Sequence, residues 1–458
     1  MPAFRALLYG LSRPVTDMTT SRSATDFRAP SAARLVVVTV LVGLGAGVGG
    51  MSLALLLHAV QHLAFGYSLD AVVSRESFLE GVTAASPMRR LIVLTLAGVI
   101  AGAGWWCVYR FGKPLVSIRR AIAADDPRMP VVSTLAHTLL QIITVAMGSP
   151  LGREVAPREI AALWSGWLAH FAGLTPAQAR VMVACGAGAG LAAVYNVPLG
   201  GAVFVLEVLL VTFEWPIAVA AFATSAIAAL VSWVGLGDAR QYQLPVLTLN
   251  AQIVAFAVVT GPLFGVAAWG FVKATSAARA AAPRGNALPG LVLLNFIVIG
   301  VLSMSFPQLV GNGKGAAGLS FGDEITLGLA GILLVLKVLV ELSTLRAGAE
   351  GGLLTPGLTN GALLGVILGS VWNAFWPGTP LAAFAIMGAA SFLGASMQMP
   401  LTAIVLMIEF THFSQDFLIP AALGIAGAVC AYRAVEARMS RPALPQNAPA
   451  SGVDGIVP

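Results

Sequence analysis

The chain has 458 residues, of which 58% are apolar and 10% charged, with a mean hydropathy of +0.87. A soluble domain carries about 25% charged residues, so this balance excludes a soluble globular protein and describes an all-α polytopic membrane protein, read as one membrane domain. The net charge of +6 comes from scattered basic residues. That pattern gives no basis for a nucleic-acid partner and leaves the arginines to orient the chain in a lipid bilayer.

In chain order, residues 1–33 are polar, rich in Arg and Ser, and hold no short apolar core of a cleavable signal. They are expected to form a cytosolic N-terminal arm. Apolar stretches follow at about 34–66, 91–109, 132–147, 158–172, 181–213, 215–236, 250–272, 287–305, 325–345, 352–376, 380–396 and 400–435. Some match the roughly 20 residues that one membrane-crossing helix needs. Others are cut by Gly and Pro, at NVPLGG (196–201), EGGLLTPG (350–357) and MQMPLT (397–402). Such interrupted segments suit broken and re-entrant helices, whose irregular backbone is tolerated at membrane depth only inside protein or beside water. The stretches 70–90, 237–249 and 306–324 read as loops of mixed charge, and 436–458 as a short cytosolic tail.

Basic residues gather in the arm (Arg5, Arg13, Arg22, Arg28, Arg34), in 110–130 (Arg110, Lys113, Arg119, Arg120, Arg128), in 273–286 (Lys273, Arg279, Arg284) and in the tail (Arg433, Arg438, Arg441). The excess of Lys and Arg on the inner side of membrane proteins puts these segments, and both termini, in the cytosol. Cys107, Cys185 and Cys430 lie far apart, and of the five histidines only His58 and His62 are spaced to share a helix face. Neither a disulfide framework, a metal site nor a cofactor is expected.

An internal repeat divides the membrane domain, about 34–435, into related halves of about 34–236 and 250–435. Pro198-Leu, seven mostly apolar residues and Glu207 match Pro400-Leu, seven mostly apolar residues and Glu409, an offset of 202. Upstream, Gly152 to Pro157 matches Gly351 to Pro356, an offset of 199. Duplicated units with broken helices are a transporter architecture, with the site where the breaks meet.

The chemistry of such breaks favours anions. A helix start carries unpaired N–H groups and a partial positive charge, which bind an anion without the grip of a full cation. Glycine lets the backbone approach the ion, and proline fits the first turn. Arg153 and Glu154 interrupt the apolar flanks at one break. Glu154 can mimic an anion at the helix start and leave when protonated or displaced; a carboxylate capping the helix or solvated in a loop is the other reading. Glu207 and Glu409 end the repeated helices, either as interfacial helix ends or, for Glu207, as a proton station. Arg158 and Glu159 are read as structural or as part of a vestibule. An intramembrane enzyme would need a convergent acid–base or metal set, and the sequence offers none.

Taken together, GREVAP (152–157), GLLTP (352–356), GAGAGLAAVYNVPLGGAVFVLE (186–207) and PLTAIVLMIE (400–409) resemble, in order and spacing, the motifs of the CLC family of chloride channels and proton-coupled chloride exchangers. The resemblance covers about residues 34–430. It implies an inverted-repeat fold, a homodimer with one anion path per subunit, and a bacterial inner-membrane protein lacking the cytosolic nucleotide-binding pair of domains. It makes Glu154 the gating residue. Gly152, Arg153 and the N–H groups around Leu353 and Leu354 would bind the anion, and Lys113 would fall where the family has a coordinating serine. The sequence departs from the family at Val155 and Ala156, where Gly-Pro is usual, and at Leu354, which replaces an aromatic residue. No tyrosine follows Tyr432 to serve as the inner anion ligand. Val208 stands where exchangers carry a proton-accepting glutamate. Val208 cannot hold a proton, so channel-like passive conductance of a chloride-class anion is expected, with proton-coupled exchange as the alternative. An organic-solute transporter or a non-conducting sensor is the alternative from another class.

Overall fold

The computed structural model describes residues 32–67 and 76–439. Most of the 1–33 arm, part of the 70–90 loop and the tail from 440 lie outside the described residues. The chain forms α1 (Ala32–Phe65), α2 (Phe78–Ala84), α3 (Pro87–Phe111), α4 (Ile118–Ala123), α5 (Val131–Ala146), α6 (Val155–Phe171), α7 (Pro176–Tyr195), α8 (Pro198–Phe204) and α9 (Trp215–Leu236) in the first half. The second half holds α10 (Ala251–Ala280), α11 (Leu288–Ser305), α12 (Lys314–Phe321), α13 (Leu327–Ala347), α14 (Leu354–Phe375), α15 (Leu381–Met397), α16 (Pro400–Thr411) and α17 (Leu418–Met439). Among the described residues, nine helices are long and apolar enough to cross a membrane, and four shorter apolar ones accompany them.

Local sequence sets the helix starts. Ser86 caps α3 and Thr175 caps α7, the latter in a reciprocal capping box with Gln178. Pro87, Pro176, Pro198 and Pro400 occupy the first helical position, where the missing N–H costs nothing. The apolar run 181–213 is not one element. Asn196 turns left-handed at φ 55° and splits it into α7 and α8, and α8 ends in a π turn over Val205–Leu209. The run 400–435 is likewise divided, at His412 (φ 51°), into α16 and α17. The stretch 306–324 is not simply a loop. It contains α12, whose Ala316, Ala317, Ser320 and Phe321 are buried, so packing overrides a glycine-rich, polar-looking sequence. The last helix runs through Met439, past the expected tail boundary at 436.

The two halves bury matching helix pairs. α7 packs on α6 so closely that a Cβ on Gly190 would stand 2.2 Å from the Pro157 carbonyl oxygen. In the second half Gly361 of α14 faces α15 the same way, 2.6 Å from the Gly388 carbonyl oxygen. Small residues at such faces let membrane helices approach backbone to backbone. One large core joins α7, α14, α15, α16 and α17. Around it α1, α3, α9 and α11 keep apolar side chains on the outside, as a lipid-facing shell must. Basic segments meet on one side. The Arg284 guanidinium lies 5.5 Å over the Tyr109 ring at the end of α3, and Trp106 bonds to Asn286.

Candidate functional site at the paired helix breaks

Each half breaks at the same place and by the same device. After α5, Gly148 reverses the chain at φ +109°, and α6 starts at Val155 with Glu154 as its cap residue. After α13, Gly348 reverses it at φ +106°, and α14 starts at Leu354. The two connecting segments lie side by side and form an isolated antiparallel bridge. Gly152 N–H donates to the Gly352 carbonyl at 2.8 Å, and Gly352 N–H donates to the Gly152 carbonyl at 2.9 Å. This bridge locks the starts of α6 and α14 together. The side chain of Arg279 reinforces it by donating to the Gly351 carbonyl at 2.9 Å.

The Glu154 carboxylate rests on that bridge. It is 1% exposed, and its Oε1 accepts the Leu354 N–H at 2.7 Å. A backbone N–H of the α14 start thus holds the carboxyl oxygen, at an end of the helix whose dipole favours negative charge. A Cβ added to Gly352 would stand 1.9 Å from Glu154 Oε1, and one added to Gly152 would stand 2.1 Å from Oε2. Neither glycine has a positive φ. Space for the carboxylate, not backbone conformation, is therefore what requires glycine at both positions.

Tyr195, the last residue of α7, completes the enclosure. Its hydroxyl pairs with Thr355 Oγ1 at 3.0 Å and makes a long contact of 3.5 Å to Glu154 Oε2. The Arg153 guanidinium stacks over the Tyr195 ring at 5.1 Å. The structure therefore brings together Gly152, Arg153, Glu154, Leu353 and Leu354, and adds Tyr195 and Thr355, which sequence reasoning missed. Tyr195 is a different residue from the inner anion ligand, for which the sequence offers no tyrosine after Tyr432. The usable signal was Tyr195 itself, one residue before the NVPLGG break.

Lys113 does not join this group. α3 continues through Phe111 and is capped by Gly112, so Lys113 is the first residue beyond it, exposed and, among the described residues, without hydrogen bond or ion pair. The serine at the start of α4 is Ser117, whose side chain accepts the Arg120 N–H.

Glu207 likewise does not join the group at the Gly152–Gly352 bridge, and its role is visible. Its Oε1 accepts the Leu401 N–H at 2.9 Å, and its Oε2 accepts the Thr402 N–H and hydroxyl, both at 2.7 Å. Glu409 does the reverse, accepting the Leu199 N–H at 2.9 Å and the Gly200 N–H at 2.7 Å. Each repeated helix thus ends in the carboxylate that caps the other's start. Glu207 and Val208 also line a cavity of about 470 Å³ with Arg119 and Gln398.

Two helix starts converging on one buried carboxylate, inside an inverted pair of broken-helix units, define a membrane protein of the anion-transport class. The chain belongs to the voltage gated chloride channel family, whose profile matches residues 97–433. It is similar to the voltage-gated ClC-type chloride channel ClcB of Salmonella typhimurium, with 27% identity over 82% of this chain and 91% of that one. To ClcB of Escherichia coli the identity is 29% over 73% of this chain and 82% of that one. Among solved structures it resembles a slow cyanobacterial Cl⁻/H⁺ antiporter, with TM-score 0.75 and 20% identity over 88% of this chain and 95% of the other. It also resembles a CLC-type fluoride/proton antiporter, with TM-score 0.62 and 19% identity over 87% and 95%. The all-α, inverted-repeat CLC fold expected from the motifs is the fold observed.

Proposed function

We propose that this protein carries a small inorganic anion, chloride by default, along a path gated by Glu154. The observation that carries the reading is the Leu354 N–H held by the Glu154 carboxylate at 2.7 Å. A carboxylate in that position occupies the place an anion would take, and its withdrawal would leave the N–H of the α14 start for the ion. Gly152, Gly352, Tyr195 and Thr355 shape the space, and Arg153 supplies positive charge beside it. Lys113 takes no part in this reading. The working unit is a homodimer in the bacterial inner membrane with both termini cytosolic.

Passive, channel-like conductance is the preferred mode. Val208 cannot carry a proton, and both oxygens of Glu207 are engaged as helix caps. The curated relatives are themselves named as channels. Proton-coupled exchange is the second reading, favoured by the antiporters among the similar folds.

Chloride efflux from proteoliposomes, with internal pH recorded, tests both. Efflux without opposing proton movement supports the channel-like mode, and proton uptake in fixed ratio to chloride replaces it with exchange. No flux of any small inorganic anion, with uptake of a labelled organic acid instead, would sink the anion reading.

A further inference from the structure

A second polar cluster lies in the middle of α13, a helix that the sequence presents only as an apolar span. Lys337 and Glu341 are one turn apart, and both are fully buried. Lys337 Nζ donates to the carbonyls of Leu309 and Gly311, at 2.9 and 2.6 Å. Glu341 Oε2 accepts the Asn360 amide N–H of α14 at 2.8 Å. No ion pair within 4.0 Å joins Lys337 to Glu341, because the ammonium is spent on the two carbonyls.

Two oxygens of this cluster lack a partner. Glu341 Oε1 and Asn360 Oδ1 are both buried and unbonded. They belong to residues already joined by one hydrogen bond, and both are acceptors. A single hydrogen on Oε1 satisfies the two at once, as a carboxylic acid and a primary amide pair through O–H···O and N–H···O bonds. An ionised Glu341 would leave both oxygens unsatisfied in a dry interior, the costliest arrangement for a buried carboxylate.

We propose that Glu341 is a proton-binding site, paired as the neutral acid with Asn360, and that its proton state is linked to the gate at Glu154. The inference adds regulation to the anion-transport reading and rests on it only for that link. Lys337 is the charged group facing Glu341 on its own helix. α14 brings the Asn360 amide and no titratable residue, and α11 brings none. On α10 the charged residues are Lys273, paired with Glu436, and Arg279, bonded to Gly351 and within 3.9 Å of Glu350. The Pro307–Leu309 turn contributes only carbonyls to the cluster.

The link has a physical route. Once Glu341 loses its proton, its charge competes for Lys337 against Leu309 and Gly311. Gly311 N–H donates to the Gly148 carbonyl at 3.0 Å, in the segment that leads to Glu154. Asn360 lies on α14, the helix whose start holds the Glu154 carboxylate. Deprotonation therefore loosens the support of one break and removes a bond from the helix of the other.

The test has two arms. Infrared difference spectra of the purified, reconstituted Glu154→Gln protein at neutral pH, in water and heavy water, report the carbonyl stretch of protonated carboxylic acids. A deuterium-sensitive band that disappears on adding Glu341→Gln, and shifts on adding Asn360→Leu, is expected; a spectrum unchanged by both substitutions overturns the proton site. This arm needs no transport, so it stands apart from the anion reading. In the second arm, anion efflux is followed from neutral to alkaline pH in the protein with Glu154 intact. Glu341→Gln is expected to flatten the alkaline part of the profile, and a profile identical to that of the unsubstituted protein overturns the link to the gate.

Discussion

Replacing Gly352 by alanine isolates the gate from the rest of the fold. The added Cβ would stand 1.9 Å from Glu154 Oε1, 2.3 Å from Cδ and 3.0 Å from Cγ, and these are its three nearest atoms. Since φ at this position is ordinary for an L residue, the backbone tolerates alanine and the whole conflict falls on one flexible side chain. The carboxylate must leave the Leu354 N–H. A hydrogen bond to a charged group is worth about 1.5–3 kcal/mol, so losing it lowers occupancy of the closed position by roughly 10- to 150-fold, at 1.4 kcal/mol per factor of ten. Initial chloride efflux from proteoliposomes should rise toward that of Glu154→Ala. The double variant should match Glu154→Ala alone, because the alanine acts only through the glutamate. Unchanged efflux in well-folded Gly352→Ala, or a double variant slower than Glu154→Ala, would refute the assignment and make Gly352 a lining residue of the path instead.

Four further outcomes follow from the geometry. Glu154→Gln keeps an acceptor for Leu354 but loses the charge, which roughly halves the bond; an anion should displace it about tenfold more readily, read as faster efflux with a flatter pH profile at acidic pH. Glu207→Ala uncaps α16 and should lower stability by about 1–3 kcal/mol, seen as a lower unfolding midpoint in detergent, while Glu207→Gln loses less and chloride efflux stays free of opposing proton movement. Tyr195→Phe removes the bond to Thr355, costs about 1 kcal/mol in stability, and should change chloride efflux far less than Glu154→Ala does. Lys113→Ala should leave the chloride dependence of efflux unaltered.

Both breaks were legible in the sequence because Gly, Pro and charge interrupt apolar runs there, and because the interruption occurs twice at nearly one offset. Glu154 stood out for the same reason. Tyr195 did not, since nothing local says where the end of α7 points; its position depends on α7 packing between two segments 200 residues apart. That Lys113 falls outside the site was not legible, because a short junction with one glycine and one proline fixes no register until the exact end of α3 is known. Lys337 and Glu341 escaped notice for a different reason. Three charges in 21 residues, one of them Arg346 in the last turn, barely disturb a hydropathy profile, and only the packing of α13 reveals that Lys337 and Glu341 face inward. The mutual capping by Glu207 and Glu409 was half visible, as matching glutamates at matching positions, but not its crossed connectivity.

That crossing ties the order of synthesis to the order of assembly. When α8 leaves the ribosome, the carboxylate that closes its start is still some 200 residues from being made. The first half must therefore wait in the membrane with an open helix end, and is completed only when α16 arrives in the opposite orientation. Two identical copies inserted in opposite orientations would satisfy the same requirement with one glutamate each. The present chain carries that exchange within a single polypeptide, and the loss of either glutamate leaves its mark on the half that did not change.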